Sequence, residues 1–327
     1  MTQAVPTVDL PNGMKMPIIG IGTYRSTPAE IKLTINTALE CGYRHIDTAY
    51  LYQNEREIGE VLKEWLDSGR IKREELFITT KLPIHANRAE DVARFLDKSL
   101  ERLKLDYVDL YLIHNPVGVK GKDDDDFWPL DEEGNVTLDL DTDLESVYKG
   151  MEKLADSGKA KAIGISNFNS KQIERIMKVC RIKPANLQVE LHAFHQQKKL
   201  RKICSKYGIP VCAYAPIGAP YKAQERKDGS PILLEHPTVT SIAKRLGKTP
   251  AQVLIRFLIQ LEIVVIPKST KPERIRQNFQ VFDFKLSPED MSALDSLDKG
   301  ESGRIFIFED VLKGISKHPE YTFHIPV

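Results

Sequence analysis

The stretch FITTKLPIHANRAEDVARFLDKSLERLKLDYVDLYLIH (77–114) holds one complete unit of the fold. An apolar run at Leu76–Thr80 leads into a helix-period segment, Ala89–Leu103, and a second apolar run follows at Tyr107–Ile113. Short apolar runs with little alternation suit strands buried on both faces, and a helix between two of them makes a right-handed crossover to a parallel neighbour. The same alternation extends in both directions. Further runs lie at Ile18–Gly22, Tyr43–Ile46, Ala160–Ile165, Leu187–Glu190, Pro210–Tyr214 and Ile263–Ile266. Helix-period segments include Pro28–Cys41, Glu55–Ser68 and Leu144–Ser157.

Eight strand–helix units fit either an open doubly wound sheet or a closed (β/α)8 TIM barrel. Length and count favour the barrel, which needs about 250 residues, and residues 1–327 read as a single barrel domain. The start of the chain predicts a β-hairpin, Thr7–Leu10 and Met14–Pro17 around Pro11-Asn12-Gly13, because Asn-Gly tolerates positive φ at both central positions of a tight turn. Three stretches poor in periodicity, 115–142, 218–236 and the tail from 297, read as long loops. The first two follow strands directly, which puts them on the C-terminal face, where barrel active sites lie.

Lys and Arg total 47 against 46 Asp and Glu, a net charge of +1, so no basic field favours nucleic acid or an anionic membrane. No apolar run approaches the ~18 residues of a membrane span, and Met-Thr-Gln-Ala-Val-Pro (1–6) lacks the basic and apolar regions of a signal peptide. Cys41, Cys180, Cys204 and Cys212 are scattered without CxxC spacing, which fits reduced thiols in the cytoplasm. No metal is expected. His192 and His195 form an HxxH pair after Glu190, but no third ligand is spaced to complete a site, and Cys212 reads as core packing.

Four residues at the ends of three consecutive predicted strands point to chemistry: Asp47 and Tyr52, Lys81, and His114. Singly each would be a cap or a satisfied polar group. Together, on adjacent strands, they form a tuned proton donor. A phenol has a reference pKa near ~10, and a lysine ammonium beside it stabilises its anion. A carboxylate keeps that lysine charged and aimed, and the imidazole either orients the group receiving the proton or shares in the transfer. On this reading Lys81 and Asp47 lower the pKa of Tyr52.

A second cluster, Ile266-Pro-Lys-Ser-Thr (266–270), ends another strand, and Pro272 starts a helix. Lys268, Ser269 and Arg274 would ring one anion position at that helix's N-terminus. Gly20-Ile-Gly22 is no dinucleotide fingerprint, because Arg25 stands where the third glycine should be. A strand passing close to a cofactor accounts for these glycines.

On Gly-Tyr-Arg-His-Ile-Asp-Thr-Ala-Tyr-Leu-Tyr-Gln-Asn-Glu (42–55), Asp-Leu-Tyr-Leu-Ile-His (109–114) and Ile-Pro-Lys-Ser-Thr-Lys-Pro-Glu-Arg-Ile (266–275), the chain resembles the aldo-keto reductases, in the aldose/aldehyde reductase-like branch, over essentially its whole length. The resemblance implies NADP(H)-dependent reduction of a small-molecule carbonyl on a (β/α)8 barrel, by a monomer, with Asp47, Tyr52, Lys81 and His114 as the catalytic tetrad and Tyr52 as the acid. It assigns Lys268, Ser269, Thr270 and Arg274 to the 2′-phosphate and Gln277 and Asn278 to the adenine. Ser166, Asn167 and Gln188 match the carboxamide-binding set, Tyr214 the aromatic stacked on nicotinamide, and Thr23 and Tyr24 lie beside the cofactor. Two cations around one phosphate favour NADP over NAD.

Three positions depart from the branch's usual choices. Tyr24, Pro83 and Asn115 stand where tryptophan is usual or common, so a roomier, partly polar substrate site for a bulky ketone or aldehyde is expected, with Tyr24 as an aromatic wall. The substrate set is then Tyr24, Tyr52, Pro83, His114, Asn115 and Trp128. The acidic run Asp123–Asp126 reads as a solvated loop face, and Phe127 and Trp128 as a pocket rim. Leu82-Pro83 and His114-Asn115-Pro116-Val117-Gly118 resemble an arthropod sub-branch that includes 3-dehydroecdysteroid reductases. A contrasting reading is a redox-responsive partner subunit or structural protein that binds the cofactor on the same barrel with little turnover.

Overall fold

A computed structural model describes residues 5–222 and 231–325. The middle of the second long loop and both chain ends, including most of the 1–6 segment, lie outside these residues. Two short strands, β1 (Thr7–Asp9) and β2 (Lys15–Pro17), pair antiparallel. Eight parallel strands follow: β3 (Ile21–Gly22), β4 (His45–Asp47), β5 (Phe77–Leu82), β6 (Val108–Ile113), β7 (Ala160–Ser166), β8 (Leu187–Glu190), β9 (Val211–Tyr214) and β10 (Val264–Val265). They neighbour one another in chain order, as crossovers of one hand require.

The sheet closes on itself. Parallel bridges Ile19↔Val265 and Gly22↔Lys268 join its first and last strands, with Gly20 N–H donating to Val265 O at 2.9 Å. The (β/α)8 barrel is therefore present. Glycine is demanded at this seam, because a Cβ on Gly22 would lie 2.8 Å from Ile266 O. A Cβ on Gly20 would lie 2.5 Å from the His45 ring, so Gly20 serves packing inside the barrel rather than approach to a cofactor.

The helices carry the punctuation their sequences announce. Helix α1 (Pro28–Cys41) starts with Thr27 and Glu30 in a reciprocal capping box and ends on Gly42 at φ 108°. Helix α2 spans Glu55–Asp67, α3 Asp91–Leu103, and α4 Leu144–Ser157 between the Asp143 cap and Gly158. The outer core packs these helices on the outward strand residues, such as Ile46, Ile78, Tyr111 and Ile163. The inward residues Leu110, Leu112, Ala162, Cys212 and Val264 form an inner core that Leu10 and Met16 of the hairpin plug from below.

The hairpin turn is looser than a two-residue Asn-Gly turn. Only Gly13 takes positive φ, at 83°, while Asn12 Oδ1 accepts from Met14 N–H and Asn12 Nδ2 donates to Lys161 O. Tethering Asn12 to the barrel floor takes precedence over the tight turn.

Candidate active site

Alternation along the strands decides which side chains enter the barrel. Asp47 closes β4, and Lys81, next to last in β5, points inward like Thr79 two residues before it. Their side chains are 3% and 0% exposed, with Lys81 Nζ 2.6 Å from Asp47 Oδ1. The same ammonium donates to Thr48 O at 2.8 Å and to Tyr52 Oη at 3.4 Å. The other oxygen of Asp47 accepts from Gln188 Nε2 at 2.7 Å. Thr23 Oγ1 donates to Asp47 O, fixing the main chain of the same residue.

Tyr52 sits in a short 3-10 turn (Tyr50–Tyr52), with its ring 5.6 Å from that of His114 and 5.1 Å from that of Tyr24, centroid to centroid. All four predicted catalytic residues therefore converge. The expected depression of the Tyr52 pKa is not found. Burial, then the Asp47 carboxylate, holds the phenol well above its usual value. The Lys81 charge that would have lowered it is already paired with Asp47 at contact distance. Burial, then Lys81, pushes His114 well below the ordinary histidine value, so its imidazole is neutral. Its Nδ1 is buried without a partner among the described residues.

A cavity of about 950 Å³ opens above the tetrad and runs to the start of a later helix, α5 (Pro272–Phe279). Its wall includes Thr23, Tyr24, Asp47, Tyr52, His114, Asn115 and Trp128, together with Ser166, Asn167, Gln188 and Tyr214. At the far end stand Lys268, Ser269, Thr270, Arg274, Gln277 and Asn278. Helix α5 has no side-chain cap, which leaves its first N–H groups and its positive dipole end for an anion beside two cations. Burial holds Lys268 below the usual lysine value, and its ammonium rests on Arg25 O at 3.1 Å. The residues present thus fit a phosphorylated dinucleotide, with cations at one end and amides and an aromatic ring at the other.

The amide set is tightly wired. Asn167, in left-handed backbone at φ 62°, donates to His114 O at 2.9 Å and accepts from Tyr214 Oη at 2.9 Å. Asn167 and Gln188 therefore hold the tetrad as well as facing the cavity.

Several expectations need correction. Pro83 is buried and does not reach the cavity wall, because it caps the 3-10 turn Ile84–Ala86 and presents Ile84 instead. Phe127 turns inward against Tyr50 and His85, leaving Trp128 alone as the rim. The acidic run is not simply solvated. Asp124 pairs with Arg94 and, at 2.5 Å, with Lys98 of α3, and Asp125 meets Arg102 at 3.3 Å. Asn115 spends its amide oxygen on Val117 N–H, which leaves the nitrogen as its available donor.

Other wall residues escaped sequence reasoning: Leu51, Ile84, Ile217 and Leu234, and from the tail Phe306, Ile307, Phe308, Val311 and Leu312. The apolar run Ile305–Phe308 in an otherwise polar tail is the signal that could have found the last group. Asn54, buried between Thr48 Oγ1 and Thr23 O, was also missed. Among the described residues no group of three His, Cys, Asp or Glu could hold a metal ion, and no helix is long and apolar enough to cross a membrane.

Comparison with known proteins agrees with this geometry. Residues 18–299 match the model of the Aldo/keto reductase family. Aldo-keto reductase family 1 member A1 of Xenopus tropicalis is 43% identical over 330 residues, covering 100% of both chains, and the Homo sapiens protein is 41% identical over 327 residues, covering 99% of both. The structure of the aldose reductase from Schistosoma japonicum superimposes with a TM-score of 0.88 at 44% identity, covering 98% of this chain and 99% of that one. A Bombyx mori aldo-keto reductase in complex with NADP gives 0.87 at 34% identity, with the same coverage.

Proposed function

The chain belongs to the aldo/keto reductase family, and we propose that it reduces an aldehyde or ketone to an alcohol with NADPH, Tyr52 giving the proton. The observation that carries this reading is the position of Lys81 Nζ between Asp47 Oδ1, at 2.6 Å, and Tyr52 Oη, at 3.4 Å, with Asp47 and Tyr52 lining the cavity. When bound, NADPH would supply the hydride. Lys268, Ser269 and Arg274 would hold its 2′-phosphate, Gln277 and Asn278 its adenine, and Tyr214, Ser166, Asn167 and Gln188 its nicotinamide end.

A phenol held above its usual pKa suits the task. It remains protonated at neutral pH, and a forming alkoxide is a stronger base than a phenolate, so the proton moves downhill. Lys81 donates to the phenolic oxygen rather than competing for its proton. The phenolate left behind therefore meets a fixed positive charge that needs no reorganisation. His114, neutral through burial, can donate one N–H to the carbonyl oxygen and fix its direction.

The substrate end is lined by Tyr24, Leu51, Ile84, Trp128, Phe308 and Leu312, with Asn115 as a polar contact. This supports a bulky apolar carbonyl, such as a steroid ketone or an aromatic aldehyde, over a sugar, whose hydroxyls would be left unpaired against aliphatic walls. NADPH oxidation with a panel of steroid ketones, aromatic and aliphatic aldehydes and sugars tests both parts. Higher kcat/KM on the large apolar members is expected. A sugar-only profile contradicts the substrate class, and no oxidation with any carbonyl contradicts the activity.

A further inference from the structure

The segment that follows β8 is a cradle for the C-terminal tail. Glu190, the last residue of β8, is 1% exposed, and three donors converge on it. The main-chain N–H of Ile305 reaches its Oε1 at 2.7 Å, that of Phe306 reaches Oε2 at 2.9 Å, and His192 Nε2 lies 2.9 Å from Oε1. A carboxylate only accepts, so His192 carries its proton on Nε2. Burial alone would raise the Glu190 pKa, but the His192 hydrogen bond and charge, with His195 and Phe306 N–H, hold it below the ordinary carboxylate value.

The rest of the cradle grips the preceding tail residues. Phe194 O accepts from Lys299 N–H at 2.8 Å, and His195 Nδ1 meets Gly300 O at 2.8 Å. Gln196 N–H donates to Asp298 Oδ1 at 3.1 Å. Gly303 passes so near that a Cβ there would lie 1.9 Å from Phe194 O. This accounts for the HxxH pair: His192 and His195 hold chain, not metal.

Immediately beyond the anchored N–H groups, Phe306, Ile307 and Phe308 line the cavity, and Phe306 stands edge-on to Tyr214 at 5.6 Å. We propose that Glu190, aimed by His192, is a positioning residue for substrate selection: by gripping the N–H groups of Ile305 and Phe306 it fixes the Phe306–Phe308 wall of the cavity. One carboxylate spanning two consecutive N–H groups sets both the position and the direction of the chain, and hence where the Phe306 ring points. The inference rests on the carbonyl-reductase reading, since it assigns this wall to the substrate.

The test uses Glu190→Gln, Phe306→Ala and the double variant, assayed with propanal and with 2-naphthaldehyde. Glu190→Gln keeps the shape but replaces one accepting oxygen by a donor, so one N–H loses its acceptor. It should raise KM for 2-naphthaldehyde about fivefold or more with little change in kcat, and leave KM for propanal within about twofold. On the Phe306→Ala background the same change should add less than about twofold, because the effect travels through that ring. Amide exchange at Ile305 and Phe306 should accelerate about tenfold in Glu190→Gln. Equal losses on both aldehydes, an unchanged KM for 2-naphthaldehyde, or unchanged exchange at these two amides would overturn the proposal. If the unaltered protein reduces neither aldehyde, the reductase reading fails, and with it the selection role, while the exchange data still decide whether Glu190 grips the tail.

Discussion

Gln188 Nε2 donates to Asp47 Oδ2 at 2.7 Å across the barrel, from β8 to β4, four strands away around the eight-stranded sheet. The carboxylate that holds Lys81 is thus itself held from the opposite wall, and the Asp47–Lys81–Tyr52 cluster is braced by the closure of the sheet rather than by one loop.

Breaking that brace should be felt in turnover. A hydrogen bond to a charged group contributes about 1.5–3 kcal/mol, so Gln188→Leu should lower kcat about tenfold or more. Gln188→Glu should be worse, because two carboxylates at this separation force one to take a proton. Steady-state kinetics on both variants check the order.

Removing the charge of Asp47 leaves the Lys81 ammonium buried without a counter-charge. Asp47→Asn should destabilise the fold by about 3–5 kcal/mol, and adding Lys81→Met should restore part of that loss. Urea unfolding of the single and double variants measures it, and a double variant less stable than the single would contradict the pairing.

The pH profile of kcat/KM should be flat from about pH 6 to pH 9, because the ordinary histidine and tyrosine values of ~6.5 and ~10 are displaced outward, His114 well below and Tyr52 well above. A limb near pH 6.5 would place a protonated His114 in the mechanism.

Acid stability should depend on His45, buried inside the barrel against Phe77. Burial, opposed in part by Asp47, lowers its pKa to about 4. The unfolded chain binds this proton near pH ~6.5 and the folded protein only near 4, so the unfolded state holds more protons between the two values. The stabilisation is complete above pH ~6.5 and is lost as pH falls toward 4, by an amount on the order of 3 kcal/mol. The melting temperature of His45→Gln should fall less steeply across that window than that of the unaltered protein.

The strands, the helices and the tetrad were legible because each rests on local pattern: an apolar run, a cap, a polar residue at a strand end. Lys81 after Thr79-Thr80 is such a case, where a charge ending a buried strand demands a partner. What local pattern cannot carry was missed or misread. Pro83 looked like a wall residue by position, but the turn it caps presents Ile84 instead. The Asp123–Asp126 run looked solvated because the partners of Asp124, Arg94 and Lys98, lie 30 and 26 residues away in sequence. The hold of Glu190 on Ile305 spans 115 residues, a separation at which no spacing rule operates. The sign of the Tyr52 shift failed for another reason: burial outweighs a neighbouring charge that is already paired.

The central claim is that Tyr52 supplies the proton, and Tyr52→Phe tests it most directly. The substitution removes one oxygen and leaves the anion site at Lys268 and Arg274 untouched. Turnover should fall by about 10²–10⁴ while NADPH binding, followed by protein fluorescence, stays within about threefold. Turnover that survives in Tyr52→Phe with its NADPH affinity intact would contradict the account.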